Sequence, residues 1–182
     1  MRRIPGLGVT LLALLIAMAA LPGDARAQCT AAGDGDTCFL SGSVSMTAGR
    51  VIRLQMSAAS TTLTPPTPTD FDAGFAATTG PTLTVSSNAA WTLHIRSAAT
   101  FWTATNTSPG APARTTKPAA DLKWGTAAGG PFTSLTTTNV NLDTGAATAG
   151  DVDTLFFRTS YAWTLDTPGN YSLAVVLTLT SP

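Results

Sequence analysis

Thr82-Leu-Thr-Val-Ser-Ser-Asn-Ala-Ala-Trp-Thr-Leu-His-Ile-Arg96 decides the fold class. Leu83 and Val85 alternate with Thr82, Thr84 and Ser86. Ser87-Asn88 is a turn signal, and Trp91, Leu93 and Ile95 then alternate with Thr92, His94 and Arg96. Side chains of a strand point to opposite faces in turn, so this spacing puts one apolar face on each run. Two such runs about a turn predict a hairpin. The same period recurs at Tyr171, Leu173, Val175, Leu177 and Leu179, after the turn Asp166-Thr-Pro-Gly-Asn170.

N-terminal to this stretch, Ser41–Met46 and Val51–Met56 flank Thr47-Ala48-Gly49-Arg50 as a second hairpin would. Asp121–Trp124, Phe132–Leu135 and Val140–Leu142 are short candidates. Val152–Trp163 is a longer one, with Leu155 and Phe157 on one face and Phe156 and Arg158 on the other. Two stretches read as surface connections: Ser57–Pro81, with Pro65, Pro66 and Pro68, and residues 103–120, with Pro109, Pro112 and Pro118. No segment after residue 27 has a helical apolar stripe. Seven to nine short antiparallel strands at this spacing predict an all-β chain, with a β-sandwich as the leading architecture and a jelly roll or small barrel as the competitor.

Composition agrees. Residues 1–27 have the three parts of a secretory signal peptide: Arg2 and Arg3, an apolar run from Leu7 to Leu21, and Ala25-Arg26-Ala27 before Gln28. The expected mature chain is one domain over residues 28–182. It holds seven basic and nine acidic residues, all of the latter Asp, and is rich in Thr, which favours half-exposed strands. A slight acidic excess excludes nucleic acid as a partner. Nothing after Leu21 is long and apolar enough to predict a membrane span.

The chemistry on offer is sparse. Cys29 and Cys38 enclose a turn-rich octapeptide, so a local disulfide is expected in an exported protein. The rivals are a lipidated cysteine, for which Gln28 is the wrong preceding residue, and a redox pair, which would show C-x-x-C. His94, the sole histidine, alternates with Trp91, Leu93 and Ile95 and has no nucleophile context around it, so a catalytic triad is not expected. Paired-carboxylate hydrolysis would fall on Asp alone, and these residues sit in turns. Asp34/Asp36, Asp70/Asp72 and Asp151/Asp153 have the D-x-D spacing that can ligate Ca²⁺, but none leads into a distal bidentate acid. No catalytic residue, cofactor or metal site is therefore expected. Among the tryptophans, Trp91, Trp124 and Trp163 read as core, and Trp102 in Phe101-Trp102-Thr103 is the candidate ligand-binding ring.

Pro168-Gly-Asn-Tyr-Ser-Leu-Ala-Val-Val-Leu-Thr-Leu-Thr180 resembles the closing strand of secreted bacterial Ig-like domains, notably spore coat protein U and fimbrial-subunit-like modules. A more diffuse likeness lies in Thr84–Leu93. The resemblance implies an Ig-like sandwich, secreted or periplasmic and associated with the cell surface, that serves assembly or adhesion and not catalysis. Its expected partners are further copies of itself or other surface proteins, joined through an exposed strand edge. The chain departs from the pattern in lacking a second cysteine pair, and Gly42–Met46 is the one stretch that could act as a donated strand. The alternative is an extracellular carbohydrate- or Ca²⁺-dependent binding module using Trp102 and an Asp loop.

Overall fold

The computed structural model describes residues 29–182 except 31, 36 and 107–111, so the expected signal sequence, residues 1–27, lies outside it. The chain forms two compact units that divide between Thr47 and Ala48. In the first, Cys29 and Cys38 are joined by the expected disulfide, with their Cα atoms 5.9 Å apart. Ser41–Met46 forms no strand, and its side chains are exposed.

The second unit is antiparallel and almost wholly β. In chain order it comprises β1 (Ile52–Met56), α1 (Pro68–Ala73), β2 (Phe75–Ser87), β3 (Trp91–Ser97), β4 (Thr103–Asn106), β5 (Leu122–Gly125), β6 (Thr133–Ser134), β7 (Val140–Gly145), β8 (Thr148–Ser160), β9 (Gly169–Ser172) and β10 (Val175–Thr180). One sheet runs β1-β2-β8-β5-β6, a second β10-β3-β7, and β4 and β9 make a small third pair. The ten strands among the described residues are one more than the top of the expected range, and β6 has only two residues. The arrangement is an open, sandwich-like one around a single core. Leu83 and Val85 from β2, Leu122 and Trp124 from β5 and Leu155 and Phe157 from β8 meet Trp91, Leu93 and Ile95 from β3.

Thr82–Arg96 is therefore not a hairpin. β2 and β3 alternate as expected, but they lie in different sheets and face each other across the core. Alternation alone cannot separate these cases, because a strand shows the same period whether its neighbour in sequence lies beside it or opposite it. The crossing is made by Ser87, whose hydroxyl donates to the Ala89 carbonyl (2.6 Å) and accepts from the Ala89 amide (3.2 Å). Ser97 repeats the device with Ala99 at the end of β3. Both serines are buried, so these bonds satisfy polar atoms that would otherwise carry a desolvation cost.

The other expected hairpin fails for a related reason. Asn88, in the β2–β3 turn, accepts from the Val51 amide (2.8 Å) and donates to the Gly49 carbonyl (2.8 Å), occupying the groups a tight turn there would use. β1 pairs with β2 instead, Leu54 opposite Val85. Nor is Ser57–Pro81 only a connection: it contains α1 and the first half of β2. Thr67 and Asp70 form a reciprocal capping box, Pro68 starts the helix and Gly74 ends it at φ 78°. The apolar stripe from Tyr171 to Leu179 is likewise split: β9 pairs with β4, and β10 with β3.

Candidate functional site

Each of the two larger sheets has an edge strand beside the same opening. Among the described residues β1 pairs only with β2, and β10 only with β3. Residues opposite one another in a ladder point to the same face, so Ile52, Leu54 and Met56 follow Ser87, Val85 and Leu83 inward. Likewise Val175, Leu177 and Leu179 follow Ser97, Ile95 and Leu93. One strand further in, Leu83 and Val85 of β2 and Leu93 and Ile95 of β3 are buried, whereas Ile52 and Met56 on β1 keep 40% and 44% of their surface in solvent. The core thus runs out to both edges without being closed. The two strands approach each other at one end, where the Arg50 guanidinium donates to the Ser181 carbonyl at 3.4 Å, and where they part lies a cavity of about 720 Å³, lined by Leu54, Leu63, Leu155, Leu173, Val175 and Leu177 among others. Such edges are usually blunted or covered, and an apolar one invites an added strand.

A second cavity of the same volume, about 720 Å³, lies beside α1 and the β8–β9 loop, with Pro65, Pro66, Tyr161 and Asn170 in its wall. Trp102 borders both cavities but is only 5% exposed. It belongs to the core, and its indole N–H donates to the Pro118 carbonyl at 3.1 Å. Trp91 and Trp124 are buried as expected. Trp163 is not: it is 60% exposed, because β8 stops at Ser160 and leaves the ring on the following turn. His94 lies on the face of β3 away from the core, half-buried, with a Nδ1 that has no hydrogen-bond partner.

The carboxylates separate into distinct roles. Asp34 is in a turn, and Asp36 lies outside the described residues. Asp70 caps α1, and the hydrogen bonds from the Thr67 side chain and amide hold its carboxyl below the usual range. Asp72 accepts from the Trp163 indole N–H at 3.0 Å. Asp153 on β8 is pushed up to about 6, first by burial, then by the Asp143 carboxyl of β7, to which it hydrogen-bonds, and by Asp151. Among the described residues no three His, Cys, Asp or Glu side chains gather into a group that could hold a metal ion.

Sequence reasoning missed a buried ionic cluster between the 112–121 segment and the β8–β9 loop. Lys117, 2% exposed, donates to Asp166 Oδ1 (2.7 Å), the Ser160 carbonyl (2.8 Å) and Asp121 Oδ2 (3.3 Å). Arg114 reaches the same two carboxylates at 3.0 and 3.3 Å. Burial alone would raise Asp166, but hydrogen bonds from Lys117 and the Ala162 amide, together with the Lys117 charge and a bond from Arg114, outweigh it and hold the carboxyl below its usual range. The Tyr171 hydroxyl accepts from the Arg114 amide and donates to the Thr167 carbonyl, pinning the same two loops. The three Lys117 contacts, the Arg114 Nη1 bonds and the Tyr171 hydroxyl tie charged and polar groups to one another across the two loops, which fits a clamp better than a catalytic centre. The available signal was two isolated cations in a charge-poor, Pro-rich segment.

No model of a known protein family matches the sequence, and no curated protein matches it.

Proposed function

We propose that the protein is a secreted, non-enzymatic structural or adhesive surface protein with an Ig-like sandwich, and that it assembles by accepting a strand between β1 and β10. The observation that carries this reading is the apolar gap between those two edges. Strand addition draws affinity from main-chain hydrogen bonds and specificity from alternate side-chain sites, and both are on offer along β1 and β10.

Phe39–Met46 of another copy has the matching pattern. Leu40, Gly42, Val44 and Met46 alternate with Ser41, Ser43 and Ser45, and Leu40, Val44 and Met46 are exposed in a segment without helix or strand. Extended, it reaches roughly 26 Å, against roughly 20 Å for β10, so it can span the gap. Export is supported by the signal-like residues 1–27 and by the Cys29–Cys38 disulfide, since such bonds persist in oxidising compartments.

Sedimentation velocity of the purified protein tests the reading. Concentration-dependent oligomers are expected. Deleting Gly42–Met46, and separately substituting Leu177→Arg in the gap, should each return a monomer with unchanged β-type circular dichroism. A parent protein that stays monomeric at every concentration refutes strand-mediated self-assembly.

A further inference from the structure

The exposed Trp163 is held rather than loose. Its ring stacks on Phe71 of α1 with centroids 4.6 Å apart and planes 27° off parallel. Its N–H is fixed by Asp72, the residue after Phe71. Phe71 in turn meets Tyr161 at 5.5 Å. The platform beneath is rigid: α1 carries its capping box, and the Tyr161 amide donates to the Gly74 carbonyl at 3.0 Å, tying the β8–β9 loop to the end of the helix. Pinned in this way, the ring keeps a large apolar surface in water and loses little side-chain entropy when a ligand covers it.

The second cavity opens beside this ring. At about 720 Å³ it falls in the range of small-ligand sites, which span roughly 300–1,000 Å³. Its wall combines the rings of Tyr161 and Trp163 with Pro65 and Pro66 and with the polar side chains of Thr62 and Asn170. At its base Lys117 and Asp166 are bonded to each other, so neither charge is free for a ligand. Among the described residues Lys117 and Asp166 are the only charged ones in the wall and they neutralise each other, so the cleft offers no net charge to an anion or a cation.

We infer that this cleft binds a neutral saccharide, with the C–H face of one hexose on the open face of Trp163 and its hydroxyls toward the Thr62 and Asn170 side chains. A pinned aromatic face rimmed by uncharged polar groups is complementary to a ligand that has an apolar face and a hydroxyl rim. The site stands independently of the gap between β1 and β10, although Leu63, Trp102 and Tyr171 border both cavities.

The test is a titration of the full protein with maltohexaose, cellohexaose and mannohexaose, followed by intrinsic tryptophan fluorescence and by calorimetry. At least one should give a saturable blue shift, because Trp163 is the most exposed of the four indoles. Trp163→Ala should weaken that binding by about tenfold or more, and Trp163→Phe, which keeps a stacking face, by less. Circular dichroism should be unchanged in both variants, since the ring lies outside the core. Three results overturn the assignment: no binding of any of the three at millimolar concentration, binding undiminished in Trp163→Ala, or Trp163-dependent binding of a hexaproline peptide in their place.

Discussion

Replacing Lys117 with methionine keeps most of the length of the side chain and removes its ammonium group and charge. The ammonium makes three hydrogen bonds, two of them to carboxylates, in a position only 2% exposed. Breaking a buried ion pair by deleting one partner typically costs ~3–5 kcal/mol, because the remaining charge is stranded. Asp166 is not fully stranded here: Arg114 stays at 3.0 Å and the Ala162 amide at 2.8 Å. The Ser160 carbonyl does lose its Lys117 donor. The expected loss is therefore about 2–3 kcal/mol, below the full figure. For a domain of this size that is a fall in Tm of roughly 6–12 °C, read by calorimetry or by urea unfolding followed by fluorescence. The pH profile adds a second readout. Asp166 has a depressed folded pKa, so its contribution is present above the unfolded value of about 3.8 and is lost as pH falls through the folded one. In Lys117→Met this acid-side loss should shrink, since the cation that depresses the pKa is gone. A variant within about 0.5 kcal/mol of the parent, with an unchanged acid limb, would refute the idea that this cluster clamps the two loops.

Two further predictions follow from packing and from the carboxyl pair. Gly145 lies opposite Trp91, and a Cβ there would come within 2.7 Å of the indole ring, so Gly145→Ala should destabilise the fold by about 1–3 kcal/mol; a neutral result in urea unfolding would mean that Trp91 does not lie over β7. Asp153, raised to about 6, is protonated in the fold but ionised in the unfolded chain between about pH 4 and 6, so stability should fall as pH rises through that window, by about 1 kcal/mol once solvent screening of this half-exposed group is allowed for. Asp153→Asn should remove that slope and be the more stable protein at pH 7, and an unchanged slope would place its cause elsewhere.

The fold was legible where one face of a strand is apolar and the other is not. Leu155 and Phe157 against Phe156 and Arg158 fixes the orientation of β8 from sequence alone, and the buried and half-buried positions follow that division. Partnership was not legible, because Leu83 and Trp91 would show the same period in a hairpin as across a core. The helix escaped notice because its signal is a Thr-x-x-Asp cap and a Pro in a Pro-rich stretch, with too few turns for an apolar stripe. The site was less legible still. Trp102 and Trp163 sit in similar Thr-flanked contexts, and only tertiary structure buries the first and leaves the second on a turn. Lys117 looks like any surface lysine until Asp166 comes back to meet it from a distant part of the chain.

The crossing at Ser87–Ala89 also has a kinetic consequence. By sending β3 into the other sheet, it separates that strand from every neighbour made before it. β3 acquires partners only when β7 and then β10 are present, with Ile95 waiting for Val140 on one side and Leu177 on the other. Pairings so distant in sequence carry a large loop-closure cost and make for slow folding. During synthesis or export, the strand bearing Trp91, Leu93 and Ile95 therefore waits with both ladder edges bare until β7 is made, and with one edge bare until β10. Because its face is apolar, this makes β3 a place where the unfinished chain is exposed to aggregation and in need of a holding partner.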